Sequence, residues 1–476
     1  MIYKYYGPPG TGKTFKLISR AKAYARLGTP LHKIGYFAFS KKAAGVAKER
    51  MPASDKNLPY FQTLHSFCFN YLDLNKEDIM QPYHYEKFGK EINVKVKYAD
   101  KYNKEEINYL TCDNPYFQLI HKAVNKCISV KEEYKLWEHN PKEILWPTLK
   151  YISDNLVEYK NAKNLYDFND LVDLTIKSKN KEDFPTFKAV FIDEAQDLSP
   201  LQWKLFDVFK QKSKDVYLAG DDDQAIFVWA GADVERFIKE PAKERVLKYS
   251  KRVSRTVQEE SQKPIERILG MRKEKHYLPR DFEGESLTIS NLNQIDLTKG
   301  KWLILSRTIS KQLKIAKELK KKNLYYQTNK GKSFNVGMYN AAIAYTKWIR
   351  EGKLEEKEIN DVRDFIPNGN WDPEKNWYDI FVSDQKEKLY IKNMLDNKEN
   401  LNAKARIWLS TIHAAKGGEE DNVILCLDMG NKILKSIKRS QQRNDEEHRV
   451  WYVGTTRARN NLYKLKAKIK RTGYQL

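Results

Sequence analysis

The 476-residue chain holds only four cysteines, Cys68, Cys112, Cys127 and Cys426, with no C-x-x-C spacing, and its eight histidines form no pair at metal-ligand spacing. A disulfide framework and a structural zinc site are therefore excluded as organising devices, and a reduced, cytoplasmic compartment is expected. Long apolar runs are missing as well. None approaches the ~18 residues that would span a bilayer, and the N-terminus opens into MIYKYYGPPGTGKT rather than a basic stretch followed by an apolar signal core. Neither a membrane partner nor secretion is expected. No short-period repeat and no low-complexity tract interrupts the chain.

Positive charge is abundant: 86 Lys plus Arg stand against 63 Asp plus Glu, a net +23. Such an excess favours a polyanionic partner, nucleic acid first among them. With 41% hydrophobic and 12% aromatic residues, the chain has enough apolar material for ordered cores. Its length suits about three or four compact units.

Short apolar runs that end in polar residues and lead into helical patterns predict parallel strands. They lie at Ile2 to Tyr6, Ile34 to Phe39, Ala189 to Ile192, Val216 to Ala219, Trp302 to Leu305, Arg406 to Leu409 and Val423 to Leu427. Asp73 to Lys163 reads instead as an inserted helical subdomain. It carries fifteen Lys and fifteen Asp plus Glu, so the positive excess sits elsewhere in the chain. A second interruption, Ile343 to Lys404, contains the turn signals Pro367-Asn368-Gly369 and Trp371-Asp372-Pro373. The alternation from Leu462 to Arg471 predicts a strand with one lysine face, which would serve either to protect a sheet edge or to bind a ligand.

Gly7-Pro8-Pro9-Gly10-Thr11-Gly12-Lys13-Thr14 satisfies G-x-x-x-x-G-K-[ST], with a strand pattern before it and a helical one, Phe15 to Arg26, after it. In that setting the backbone N–H groups curl around phosphate oxygens at a helix N-terminus. Lys13 reaches the β and γ phosphates, and the Thr14 hydroxyl ligates Mg²⁺. Ala189 to Glu194 supplies the complement, a buried strand ending in two carboxylates. Asp193 would hold Mg²⁺ through its water shell. Glu194, pointing to the other side, would activate the attacking water, because hydrolysis needs a base as well as a metal.

Together with these motifs, Phe191 to Asp197 and Ala219 to Phe227 closely resemble the UvrD, PcrA and Rep group of superfamily 1 DNA helicases. Phe39 to Ala44 is similar to that group's motif Ia, Thr63 to Ser66 to motif Ib, Leu247 to Arg252 to motif IV, Ser410 to Gly417 to motif V, and Glu447 to Arg459 to motif VI. The resemblance implies an α/β fold with two RecA-like parallel-sheet P-loop NTPase cores, each carrying a mainly helical insertion. The corresponding segments are 1–72 and 164–244 for the first core, 73–163 for its insertion, 245–342 and 405–476 for the second core, and 343–404 for its smaller insertion.

The same resemblance implies an ATP- and Mg²⁺-dependent motor on single-stranded and partial-duplex DNA, moving 3′ to 5′, with a monomer favoured. Gln224 would sense the γ-phosphate, Arg252 and Arg457 would act as arginine fingers, and Glu419 would contact the ribose. Lys13 and Arg457 would belong to different cores, so a nucleotide touched by both would lie in a cleft between them. Phe39, Phe227 and Trp229 would stack on bases without regard to sequence. Thr63, His65, Thr411 and His413 would lie near the sugar-phosphate backbone.

Departures from the family pattern shape the expectation. No segment ahead of Ile2 supplies the glutamine with which relatives recognise adenine, and Lys251 stands where they often place a base-stacking tyrosine, which weakens the expectation of strict ATP selectivity. Ala230 replaces a frequent arginine, the second insertion is short, and no fused nuclease is expected. Two rival readings are a translocase that strips proteins or remodels intermediates without productive unwinding, and a nucleic-acid-binding scaffold switched by nucleotide.

Overall fold

A computed structural model of the chain describes residues 1–52, 57–96, 114–137, 144–178, 183–366 and 369–476. Cys112, much of the inserted segment's middle, and Pro367-Asn368 of the turn signal lie outside the described residues. The chain forms two compact units. One comprises residues 1–284 and 432–456, the other residues 285–431 and 457–476. Residues 245–284 and 432–456, which the sequence-based segmentation groups with the second core, thus pack with the first unit. Buried ion pairs and caps described below hold them there.

The first unit is built on six parallel strands, β1 (Ile2–Tyr6), β2 (Ile34–Ala38), β3 (Phe61–Thr63), β4 (Phe187–Ile192), β5 (Ser213–Gly220) and β6 (Lys243–Val246), in the order β3-β2-β4-β5-β1-β6. Alternate residues of each strand point to opposite faces, and both faces are covered. Phe37, Val190, Ile192 and Leu218 enter one core, while Tyr36, Phe191 and Tyr217 enter the other. On the latter face the abundant aromatics form a ladder across five strands. Tyr3 stacks on Tyr217 at 4.7 Å, Tyr217 on Phe191 at 4.9 Å, Phe191 on Tyr36 at 6.5 Å and Tyr36 on Phe61 at 5.5 Å. Each such pair contributes ~0.5–1.5 kcal/mol beyond the area it buries, so the strands that carry the chemistry are tied rigidly together.

Inserted between β3 and β4 are helices including Pro82–Glu91, Pro115–Lys126 and Trp146–Lys163, packed through Phe88, Phe117, Ile152 and Leu156. The helical character expected of this segment holds in its described part.

The second unit has a seven-stranded mixed sheet: β7 (Glu285–Ile289), β8 (Trp302–Ser306), β9 (Tyr326–Thr328), β10 (Gly331–Lys332), β11 (Ile407–Thr411), β12 (Glu420–Cys426) and β13 (Ala458–Leu465). Its order is β10-β9-β11-β8-β12-β13-β7, and only the β9–β10 hairpin is antiparallel. Helices Val336–Glu351, Glu356–Arg363 and Gln385–Asp396 form a separate cluster around Tyr345, Val362 and Ile391.

The expected strand from Leu462 to Arg471 is corrected on two counts. β13 ends at Leu465, and it lies between β12 and β7 rather than at an edge. The chain beyond it folds back, with the Met429 N–H donating to Thr472 and the Tyr474 N–H to Leu427. Alternation reports a two-faced strand and carries no information on whether a neighbour pairs beside it.

Candidate active site

Two sheet ends in the first unit bring the phosphate loop and the acidic pair together. β1 and β4 are separated by β5 alone, and all three run parallel, so Gly7 and Asp193 emerge at the same C-terminal edge. The Gly7 N–H donates to Gly220 at 2.9 Å. Gly10 and Gly12 take φ of +73° and +81°, which side-chain-bearing residues rarely adopt. At Gly10 an added Cβ would also meet Arg252 Cβ at 2.3 Å. The loop closes through Thr11 Oγ1 donating to Pro8 O at 2.7 Å, and through Lys13 Nζ donating to Gly7 O at 2.8 Å with the lysine buried. Helix Lys13–Arg26 starts directly from Gly12, its first-turn N–H groups facing the loop.

Thr14 Oγ1 donates to Asp193 Oδ2 at 2.6 Å, and Tyr36, from the aromatic ladder, donates to the same oxygen at 3.1 Å. Burial, reinforced by the negative charge of Glu194, pushes the Asp193 carboxyl up to about 6 despite Thr14, Lys13 and Tyr36. Two hard oxygen donors in contact, one carrying a destabilised charge, suit a small divalent cation such as Mg²⁺.

Glu194 sits in the left-handed region at φ +54°, turning its side chain away from the strand. The buried Gln196 amide Nε2 donates to Glu194 Oε2 at 2.6 Å and to Asp197 Oδ2 at 3.2 Å, while its Oε1 accepts the Asp221 N–H at 3.0 Å. Asp221 Oδ2 in turn accepts from Gln224 Nε2 at 2.7 Å. A continuous hydrogen-bonded relay therefore joins Glu194 to Gln224. The sequence reading named both ends and missed the connecting glutamine.

Residues 250–252 pack on the loop itself. Ser250 Oγ donates to Pro9 O at 2.7 Å, and the Lys251 N–H donates to Gly10 O at 2.9 Å, which sets half-buried Arg252 beside Gly10. A second cluster went unseen. Asp221, Asp222 and Asp223 are fully buried around Lys275 Nζ, at 3.2, 2.5 and 2.8 Å, and Arg272 grips Asp223 through two bonds of 3.1 and 3.0 Å. Three adjacent acids ahead of a buried turn already signal a need for buried cations. Asp445, on helix Gln441–Thr455, accepts the Leu269 and Gly270 N–H groups at 3.2 and 2.8 Å, anchoring that helix to the first unit.

A cavity of about 860 Å³ adjoins this site. Phe39, Thr63 and His65 line it together with Lys41, Lys42 and Lys76. Ser40 and Thr63 cap helices Lys41–Glu49 and Leu64–Tyr71, so two helix N-termini open onto the cavity. Phe227 is buried and stacks on Phe39 at 5.5 Å, whereas Trp229 is 41% exposed. His65 packs edge-on against Phe168, and desolvation pushes its pKa down to about 4.

In the second unit, Thr411 ends β11, and its Oγ1 accepts the Ala414 N–H at 3.3 Å. His413 follows in the same half-buried turn, and Glu419 is exposed. Arg457 is almost wholly buried, with Nη1 donating to Gly418 O at 3.2 Å.

The chain is similar to several known proteins. The chain is 30% identical over 198 residues to RecBCD enzyme subunit RecB of Buchnera aphidicola, which covers 38% of this chain and 16% of that protein. It is 28% identical over 256 residues to a probable DNA helicase II homolog of Mycoplasma genitalium, covering 48% and 34% of the two. Gabija protein GajB of Bacillus cereus is 23% identical over 501 aligned positions, covering 95% and 90%. The chain thus spans only about a third or less of the first two of these relatives. The family described as UvrD/REP helicase N-terminal domain matches residues 5–244, the stretch that contains the phosphate loop, Asp193, Glu194 and Gln224. By that match over half its length, the chain belongs to the UvrD/Rep helicase family.

Proposed function

We propose that the chain is an ATP-hydrolysing DNA helicase that moves along single-stranded DNA, 3′ to 5′, and unwinds duplex. The observation that carries the reading is the Thr14–Asp193 contact of 2.6 Å beside a phosphate loop closed by Lys13. It joins a phosphate cradle and hard oxygen donors in one place, with the Glu194–Gln224 relay beside it. Bound Mg²⁺ would neutralise phosphate charge, with Thr14 and Asp193 as the residues that hold it. Glu194 orients and deprotonates water, Gln224 senses the phosphate to be lost, and Arg252 and Arg457 balance developing negative charge.

On the DNA side, the cavity lined by Phe39, Thr63, His65 and three lysines supports a strand-binding role, and the resemblance assigns the exposed Trp229 to stacking on a base. Thr411 and His413 are assigned to the backbone and Glu419 to the ribose by the resemblance alone. A strand-displacement assay with 3′- and 5′-tailed duplexes tests the reading, with ATP-dependent unwinding expected on the 3′ tail. The rival reading from the motifs is translocation without productive unwinding. It predicts DNA-stimulated ATP turnover with no displacement on either tail.

A further inference from the structure

The second unit contains a lysine-walled recess of about 320 Å³ that none of the helicase motifs occupies. Its floor is the C-terminal edge of three neighbouring parallel strands, where Ile289 of β7 and Cys426 of β12 both pair with Leu465 of β13. That edge is where open α/β sheets place ligands. One wall is helix Ile309–Lys321, from which Lys311, Lys314 and Lys321 line the recess, with Lys322 just beyond its end. The segment leaving β13 forms the other wall with Lys466 and Lys468.

Only two carboxylates share the lining, and both are engaged. Asp428 pairs with Lys311 at 2.6 Å, and Glu318 pairs with Lys468 at 2.9 Å. Lys314, Lys321, Lys322 and Lys466 are exposed and have no ion pair among the described residues. Like charges gathered around one concavity repel each other, and an anion entering it relieves that repulsion. The shape selects among anions. Ten residues of helix separate Lys311 from Lys321, a run of roughly 15 Å, about the rise of four phosphates along one strand of duplex at ~3.4 Å each. A compact anion would meet one end of such a row, whereas a polymer would meet its length.

We propose that this recess is a second contact for the phosphodiester backbone of nucleic acid, gripping by charge and indifferent to base. The choice of nucleic acid as the polyanion rests on the reading of the chain as a DNA motor, but the site itself does not use the ATPase residues. The test is a full-length Lys314→Glu/Lys466→Glu variant. Its affinity for single-stranded and 3′-tailed duplex DNA is measured by fluorescence anisotropy across a salt series. Losing two phosphate contacts should lower the log–log salt slope by roughly 1.4–1.8 and weaken binding about tenfold or more near 0.1 M salt. ATP turnover at saturating DNA should stay at the wild-type level.

A Lys357→Glu/Lys386→Glu variant, altering two exposed lysines of the same unit away from the recess by the same charge, should bind nearly as the wild type does. Unchanged slope and affinity on both DNAs would overturn the proposal. So would equal losses in the control variant, or protection of the recess lysines from acetylation by tripolyphosphate and not by DNA. A wild-type protein without ATP turnover whose DNA slope still responds to these two lysines would refute the motor reading and leave this one standing.

Discussion

Replacing Gln196 with leucine isolates the relay from the phosphate loop. The side chain is fully buried and makes three bonds, to Glu194 at 2.6 Å, to Asp197 at 3.2 Å and from the Asp221 N–H at 3.0 Å. Leucine has similar bulk, so little cavity forms. What is lost is two charge-assisted bonds, of which the short one to Glu194 is worth about 1.5–3 kcal/mol, together with the side-chain acceptor of the Asp221 N–H, an orphaned donor costing about 1–3 kcal/mol. If most of the first contribution serves to hold Glu194 in its reacting position, kcat should fall ~10- to 100-fold at 1.36 kcal/mol per decade. KM for ATP should hardly move, because no loop contact changes. Steady-state ATPase with saturating single-stranded DNA reads both constants, and a thermal melt gives the folded fraction. A kcat that falls only in proportion to the folded fraction would refute the relay as a positioning device and leave Gln196 a packing residue.

Further outcomes follow from other contacts. Gly10→Ala should destabilise the fold by ~1–3 kcal/mol and abolish ATP binding, because the new Cβ would stand 2.3 Å from Arg252 Cβ at a φ of +73°; urea melts and nucleotide titration check this. Lys275→Met should cost ~3–5 kcal/mol in urea unfolding, since three buried aspartates lose their shared cation, and Lys275→Arg should recover part of it. His65 is held neutral, with a folded pKa of about 4. Its contribution is complete above the unfolded value near ~6.5 and fades as pH falls toward 4. His65→Gln should therefore lose less stability than the wild type between those pH values, and parallel curves from denaturant melts would contradict the assignment.

The local motifs were legible because each needs a fixed residue at a fixed spacing. Lys13, Thr14, Asp193 and Glu194 could be placed on one sheet edge once β1 and β4 were read as parallel strands. The buried Gln196 side chain accepts from the Asp221 N–H, 25 residues along the chain, and Asp221 in turn accepts from Gln224, so the relay became visible only with the turn after β5 in place. Lys275 looks like any surface lysine in a basic chain until the fold encloses it with Asp221, Asp222 and Asp223. The packing of residues 432–456 on the first unit was equally hidden, since it depends on Asp445 capping backbone at Leu269 and Gly270. The alternation from Leu462 to Arg471 overlaps β13 only at Leu462 to Leu465, and it could not show that the strand lies inside the sheet, because neighbour identity is a tertiary property.

The most direct test compares wild type and Glu194→Gln for ATP hydrolysis stimulated by single-stranded DNA, with DNA and nucleotide binding measured on the same samples. The account predicts that turnover falls by at least about a hundredfold, as for loss of a general base, while both ligands still bind. Near-normal turnover in the variant would contradict it.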